Sequence, residues 1–273
     1  MNDTVLAHEP YIRVGIFLGV FLLMALWEAV APKRTLTTPK TRRWASNLGL
    51  TVLNSAALRL LVPVQAVGCA LIAKQHGWGL FNTYDAPPWF AVAATMLLLD
   101  LVIYFQHRWF HRSSALWSLH RVHHLDLDID VTTGSRFHPL EIALSMGIKM
   151  TVVVLLGAPA VGVVLFEVLL NAAAMFNHSN VRMNQGLDTA LRSVIVTPDM
   201  HRVHHSVVPK EMNSNFGFNL SLWDRVFKTY CAQPLAGHLS MVIGLPGFRD
   251  PALNTLSRML IAPFSRNNKG KAS

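Results

Sequence analysis

The sequence predicts an all-α integral membrane protein, with about four to five transmembrane or interfacial helices and a helical cap on the cytoplasmic side. Three observations predict it. Of the 273 residues, 52% are hydrophobic and only 14% charged, against roughly 25% charged in soluble domains. Several apolar stretches approach the ~20 residues that cross a bilayer. The basic residues collect in loops flanking those stretches, where contact with anionic lipid explains the +9 net charge more simply than nucleic acid does.

The elements follow in chain order. Tyr11–Ala31 is the first apolar run; lacking a basic leader and a small-residue cleavage site, it reads as an anchor rather than a cleaved signal. The second, Leu48–Ala73, is interrupted by Asn54, Arg59 and Gln65, and Pro63 predicts a kinked or partly interfacial helix. The third, Trp89–Phe105, carries a single charge, Asp100. Leu140–Phe176 is too long for one crossing and breaks at Gly157-Ala158-Pro159, a turn signal that predicts two short helices. Lys149 interrupts the first of these, and a charge in a span is expected to face the protein interior or snorkel outward. The loop from Lys33 to Arg43 holds Lys33, Arg34, Lys40, Arg42 and Arg43 without an acid, so the positive-inside rule makes it cytoplasmic and the N-terminus external. Counting crossings then puts 106–139 and everything after about Asn177 in the cytoplasm. Residues 1–90 read as membrane anchor, 91–235 as the catalytic part and 236–273 as a tail. Its ending, Lys269 to Ser273, resembles a dilysine retrieval signal. The two cysteines, Cys69 and Cys231, form no CxxC and indicate no disulfide framework.

Ten of the thirteen histidines fall between His107 and His205, on the side assigned to the cytoplasm without using them. His107 and His111 form HxxxH. His120, His123 and His124 form HxxHH, and so do His201, His204 and His205; both blocks read HRVHH. Residues i, i+3 and i+4 share a helix face, so HxxxH projects two imidazoles to one side and HxxHH two or three. One tetrahedral zinc takes about four protein ligands, so the set exceeds one ion's needs and predicts two metals close together. Asp100, Tyr104, His107 and His111 make one stripe on a helix leaving the membrane, which places Asp100 to accept an N–H from a ligand histidine. His178, at the end of the last span, joins the expected ligands. His138, before Pro139, reads equally as ligand, partner of a ligand or helix cap. Asp126, Asp128 and Asp130 lack the glycine and closing Glu of a calcium loop and are expected to be solvated or paired with Arg112, Arg121 or Arg136. His8, His76 and His238 lie outside the pattern.

These residues together resemble the fatty acid hydroxylase/sterol desaturase superfamily of integral-membrane di-iron enzymes. The resemblance rests on His107–His111, His120–His124, the segment Arg136 to Glu141, Asn177-His178-Ser179-Asn180 and His201–Ser206. The closing signature is Asn215 to Gly217 followed by Trp223-Asp224 through Tyr230, with Lys228 where members often have Gly. It covers roughly 95–235. The resemblance implies that His107, His111, His120, His123, His124, His178, His201, His204 and His205 hold two irons, with Asp100, His138 and Asp224 as outer supports. It also implies that O2 is the co-substrate and a lipid from the bilayer the substrate. No haem or flavin motif is present, so the electrons are expected from a separate donor of ferredoxin, cytochrome b5 or reductase type. Basic residues near the mouth would dock an acidic carrier. The membrane is expected to be a bacterial inner membrane, or the endoplasmic reticulum in a eukaryote. A zinc hydrolase is the competing enzyme class, but no HExxH occurs; a metal transporter or sensor would place histidines within the spans rather than outside them. Hydroxylation and desaturation stay open, as do the lipid and the oligomeric state.

Overall fold

A computed structural model describes residues 2–265; the dilysine-like ending lies outside them. In chain order the helices are α1 (Asn2–Ala7), α2 (Glu9–Val30), α3 (Lys40–Leu61), α4 (Ala66–Gln75), α5 (Leu80–Thr83), α6 (Pro88–Arg112), α7 (Ser114–His124), α8 (Pro139–Leu156) and α9 (Ala160–His178). Six short helices follow: α10 (Gln185–Leu191), α11 (Pro198–His204), α12 (Pro209–Met212), α13 (Leu222–Val226), α14 (Gly237–Ser240) and α15 (Leu256–Ile261). Among the described residues, β-structure is limited to isolated bridges such as Pro32 with Val181.

Five helical stretches are long and apolar enough to cross a membrane: α2, α3 with its continuation to Thr83, α6, α8 and α9. Their outer faces are lined by exposed Leu18, Leu22, Leu26, Val52, Leu97 and Leu155, which suits lipid rather than water. Pro63 divides the second stretch as its sequence predicts, since a proline nitrogen donates no helical bond. Gly157 closes α8 with φ 63°, a left-handed conformation that lets α9 turn straight back. Pro159 caps α9 and fixes its first turn.

α9 is the central strut. It packs against α2, α4 and α6, and against a 3-10 turn, Val131–Ser135. At Gly134 a Cβ would sit 2.5 Å from the Ala174 carbonyl, so only glycine allows this turn to lie on α9. α2 rests on α9, and α3 on α8 and the 3-10 turn, rather than on each other; Phe21 and Trp44 bring them together, with rings 5.4 Å apart.

The segment joining α7 to α8 is not the solvated acidic loop that its sequence suggests. Asp126, Asp128 and Asp130 are buried. Arg43 of α3 reaches Asp126 at 2.8 Å and Asp130 at 2.7 Å, Thr37 and Thr38 donate to Asp128, and Trp44 donates to Asp130. Of the partners expected from sequence, Arg136 does approach Asp126, at 3.8 Å. Burial alone would raise the Asp126 carboxyl, but Arg43 and Arg136 outweigh it and hold it at about 2. Arg136, lowered by burial to about 10, stays charged. Glu28, near the end of α2, accepts the backbone N–H groups of Val131 and Asn180, both at 2.7 Å. The first 90 residues therefore do more than anchor: they clamp the turns before and after the histidine-bearing helices.

Candidate metal centre

The histidines gather at one end of the bundle, where α2, α6 and α9 finish and α3 and α8 begin. α6 delivers His107 and His111, α7 the first HRVHH, α9 His178 and α11 the second HRVHH, whose last residue, His205, follows the helix. They divide into two sets. His107, His111, His120, His124 and His204 form one, and His123, His178, His201 and His205 the other; within each set the donor nitrogens lie within 4.8 Å of one another.

Each HRVHH block serves both sets. At about 100° per helical residue, positions i and i+4 lie about 40° apart, while i+3 lies about 60° to the other side. His120 and His124 accordingly join one set and His123 the other; in the second block His201 and His205 pair up and His204 crosses over. A shared helix face does not mean a shared ion.

The arrangement fits bound cations. His107, His123, His178 and His204 each direct Nδ1 at a backbone carbonyl, of Phe216, Arg136, Ala174 and Ser214 respectively, at 2.7–3.2 Å. An Nδ1–H donated to oxygen leaves Nε2 as a bare lone pair. Yet the Nε2 atoms of His123 and His178 lie 3.0 Å apart, and those of His178 and His201 also 3.0 Å. With the ring protons of His123 and His178 spent on carbonyls, their facing lone pairs repel unless a cation lies between them. In the other set, Nε2 of His107, His111, His120 and His204 is buried without a protein partner. Neutral imidazoles in this number suit zinc, copper, iron or nickel.

Burial also sets the protonation state. It lowers His120 to about 3 and drives His123, His124, His201, His204 and His205 well below 6.5. The rings are thus neutral, the form that binds metal. Because the unfolded chain binds more protons once the pH falls below 6.5, the metal-free fold is destabilised from there toward pH 3. The thermal midpoint of the chelated protein is expected to be flat above pH 7 and to fall steadily below 6.5; a midpoint that rises on acidification would contradict the buried, neutral set.

Of the three outer residues, Asp224 supports a histidine through the backbone, while Asp100 and His138 bond to none. Asp100 does not accept from a histidine: its carboxylate takes Trp223 Nε1 at 2.8 Å and the backbone N–H groups of Asn219 and Leu220. The helix stripe aims it correctly, but these donors of the 219–223 segment reach it in place of an imidazole. Asp224 accepts the N–H groups of Phe216 and Gly217, each at 2.8 Å, and so orders the turn whose Phe216 carbonyl holds His107. His138 belongs to neither set. Its Nδ1 accepts the Leu140 N–H and its Nε2 donates to the Leu260 carbonyl, which makes it the cap of α8, tied to α15. His238 is half-buried, near Asp199 and outside both sets. Lys228 has φ 57°, a conformation that glycine adopts without strain.

Glu141, a motif residue with no role evident from sequence, also supports a histidine of the site. Glu141 Oε1 lies 2.6 Å from His120 Nδ1, the carboxylate–histidine pairing that orients a ligand ring. The cue was the segment Arg136 to Glu141, which sets a carboxylate in the first turn of α8. Glu141→Gln is expected to lower metal affinity about 10–100-fold while leaving the chain folded, as read by metal retention during dialysis against a chelator. Unchanged retention would assign Glu141 to packing alone.

A cavity of about 390 Å³ leads away from His107 and His120 into the membrane-spanning part, between α2, α3, α6, α8 and α9. Phe17, Leu58, Ile103, Met146 and Leu170 supply apolar wall.

The fatty acid hydroxylase model matches residues 92–229, just over half of the chain. The chain belongs to the fatty acid hydroxylase family. An ornithine lipid hydroxylase of Rhizobium tropici is 26% identical over 93% of this chain and 76% of its own length. Alkylglycerol monooxygenases of Xenopus tropicalis and Homo sapiens are 28% and 30% identical over 67% and 58% of this chain, which spans only 41% and 34% of theirs. No solved structure matches this chain significantly. All nine histidines of the two sets lie within the matched span.

Proposed function

We propose that this member of the family is a membrane-bound di-iron oxygenase that uses O2 and external electrons to hydroxylate a C–H bond of a lipid. The observation that carries the reading is the convergence of two imidazole sets at the inner end of a cavity walled by membrane helices. The relatives, named as lipid hydroxylase and monooxygenases, favour hydroxylation over desaturation.

When bound, the irons would supply the oxidising power that an unactivated C–H bond demands and no side chain provides. His107, His111, His120, His124 and His204 would hold one, and His123, His178, His201 and His205 the other. The chain's own part is placement. Glu141 holds the His120 ring by its Nδ1 proton, and the Phe216 carbonyl does the same for His107. Ile103, Phe110, Phe137 and Phe218 line the cavity beside these rings and keep water from the reacting carbon. The cavity lies among helices that a lipid can approach from the bilayer. By the positive-inside argument the metals face the cytoplasm, where a ferredoxin, cytochrome b5 or reductase would deliver electrons. Arg112 and Lys210, both exposed and close in sequence to ligand histidines, offer an acidic carrier positive charge.

The test is turnover of the iron-loaded protein in lipid nanodiscs with a reductase system under 18O2. A lipid product carrying a single labelled oxygen is expected. A desaturated product without label, or hydrolysis without oxygen uptake, would overturn the reading.

A further inference from the structure

α15 lies in the segment that the sequence reads as a cytoplasmic tail, yet it is wedged between two membrane-spanning helices. Its inner face closes the core under α7: Leu256, Met259 and Leu260 pack with Leu50 of α3 and with Trp117 and Val122 of α7. At Gly49 of α3 a Cβ would lie 3.3 Å from Leu256, so the two helices touch where the second apolar run begins. Val52, three residues and about 4.5 Å further along α3, is 69% exposed and belongs to the lipid-facing surface of that span. On its other side α15 meets the start of α8. His138 Nε2 donates to the Leu260 carbonyl at 3.2 Å, and its ring lies 6.1 Å from that of Phe264. Just beyond His138, α8 turns Leu140 and Leu144 outward, 50% and 39% exposed.

What α15 turns outward is apolar too. Ile261 is 59% exposed, and Phe264, in the 3-10 turn Ala262–Phe264 that follows, is 68% exposed. Beside Leu140 and Leu144 they make an apolar surface at the level where α3 and α8 enter the bilayer. Such a patch is costly in water, and lipid is the occupant that the neighbouring faces of α3 and α8 already require. Arg258, also exposed, lies one turn before Ile261, the pairing of cation and apolar side chain seen on helices that rest at headgroup level. The same segment reaches the histidines. Arg121, inside the first HRVHH, donates to the Ala262 and Ser265 carbonyls. Trp117, in the shared core, has its ring 4.9 Å from that of His111.

We propose that α15 and its 3-10 turn form a foot on the membrane surface. Ile261 and Phe264 lie on lipid, in the interfacial layer of the leaflet nearest the histidines. Through Arg121 the seated foot holds the α7 histidine block at that depth. A second copy of the chain or a soluble protein is the rival occupant of this face. Lipid is favoured because Val52 on one flank and Leu140 on the other are faces of spanning helices, and a protein partner would have to fit between them. The inference concerns membrane contact and stands whatever metal the histidines hold.

The experiment places a nitroxide on full-length protein in lipid nanodiscs, through Ile261→Cys, Phe264→Cys, Leu144→Cys or Lys210→Cys, one at a time, with Cys69 and Cys231 changed to Ser. Collisions of the label with O2, which concentrates in lipid, are compared with collisions with a water-soluble nickel chelate. The ratio at 261 and 264 should exceed that at 210 severalfold and approach that at 144. A ratio equal to that at 210 overturns the proposal. Low collision with both reagents also overturns it, because it marks a protein partner. Hydrogen exchange, on a chain that keeps its cysteines, tests the link to α7. Phe264→Asp puts a charge into the interfacial layer and should speed exchange in 114–125, whereas Phe264→Leu should leave it unchanged. On a water-exposed site both changes would be near neutral. Unchanged exchange in Phe264→Asp therefore overturns the role assigned to the foot. Neither readout needs metal or turnover.

Discussion

His123→Ala and His204→Ala are each expected to abolish activity while the chain still inserts in the membrane, and to do so by emptying different sites. His123 belongs to the four-histidine set and His204 to the five-histidine set. Removing His123 leaves three imidazoles, and its partner His178 loses the neighbour 3.0 Å away that helps define the site. Metal content should fall from about two ions per chain to about one, since about four ligands hold an ion tightly. Removing His204 still leaves four imidazoles, so His204→Ala should retain more metal than His123→Ala though equally inactive. Metal analysis beside single-turnover assays separates the two. Full activity in either variant, or loss of both ions in both, would contradict two cooperating but separately built sites.

Arg43→Met is expected to have the largest effect on stability. Arg43 is 2% exposed, and the two carboxylates it joins, Asp126 and Asp130, are fully buried. Removing the cation leaves Asp130 without a counter-ion and Asp126 with Arg136 alone, 3.8 Å away, at a cost of about 3–5 kcal/mol. The loss should appear as a lower unfolding midpoint and as faster hydrogen exchange in 125–138. The companion change Asp126→Asn should recover part of it, because Arg136 then has one fewer buried anion to neutralise. A midpoint within error of the unaltered protein would show the cluster to be solvated.

What was legible in the sequence is what repeats locally. The spans, the break at Gly157-Ala158-Pro159 and the kink at Pro63 follow from hydropathy and from backbone chemistry within a few residues. Eight of the nine histidines stand out because HxxxH and HxxHH are spaced as a helix turns; His178 is marked only by its place at the end of a span. Their division into two sets was present in the same spacing, at 40° and 60°, but direction along a helix does not say how many ions its face meets. Asp100 shows the same limit. Its stripe was right and its partner wrong, because Trp223 is 123 residues away. The acids at 126, 128 and 130 read as solvated or paired with Arg112, Arg121 or Arg136, because Asp is rarely buried without a partner, and of these only Arg136 approaches. The main partner, Arg43, stands in a basic loop whose charges the sequence assigns to lipid headgroups. Glu28 gave no signal, being one acid at the end of an apolar helix. Such pairings join segments brought together by the fold, and a single sequence carries no trace of them.

The measurement that tests the central claim most directly is the metal content of protein purified in detergent from iron-replete cells without exposure to oxygen. The account predicts about two irons per chain, one for each imidazole set. A single zinc with no iron, persisting after attempted iron reconstitution, would contradict it.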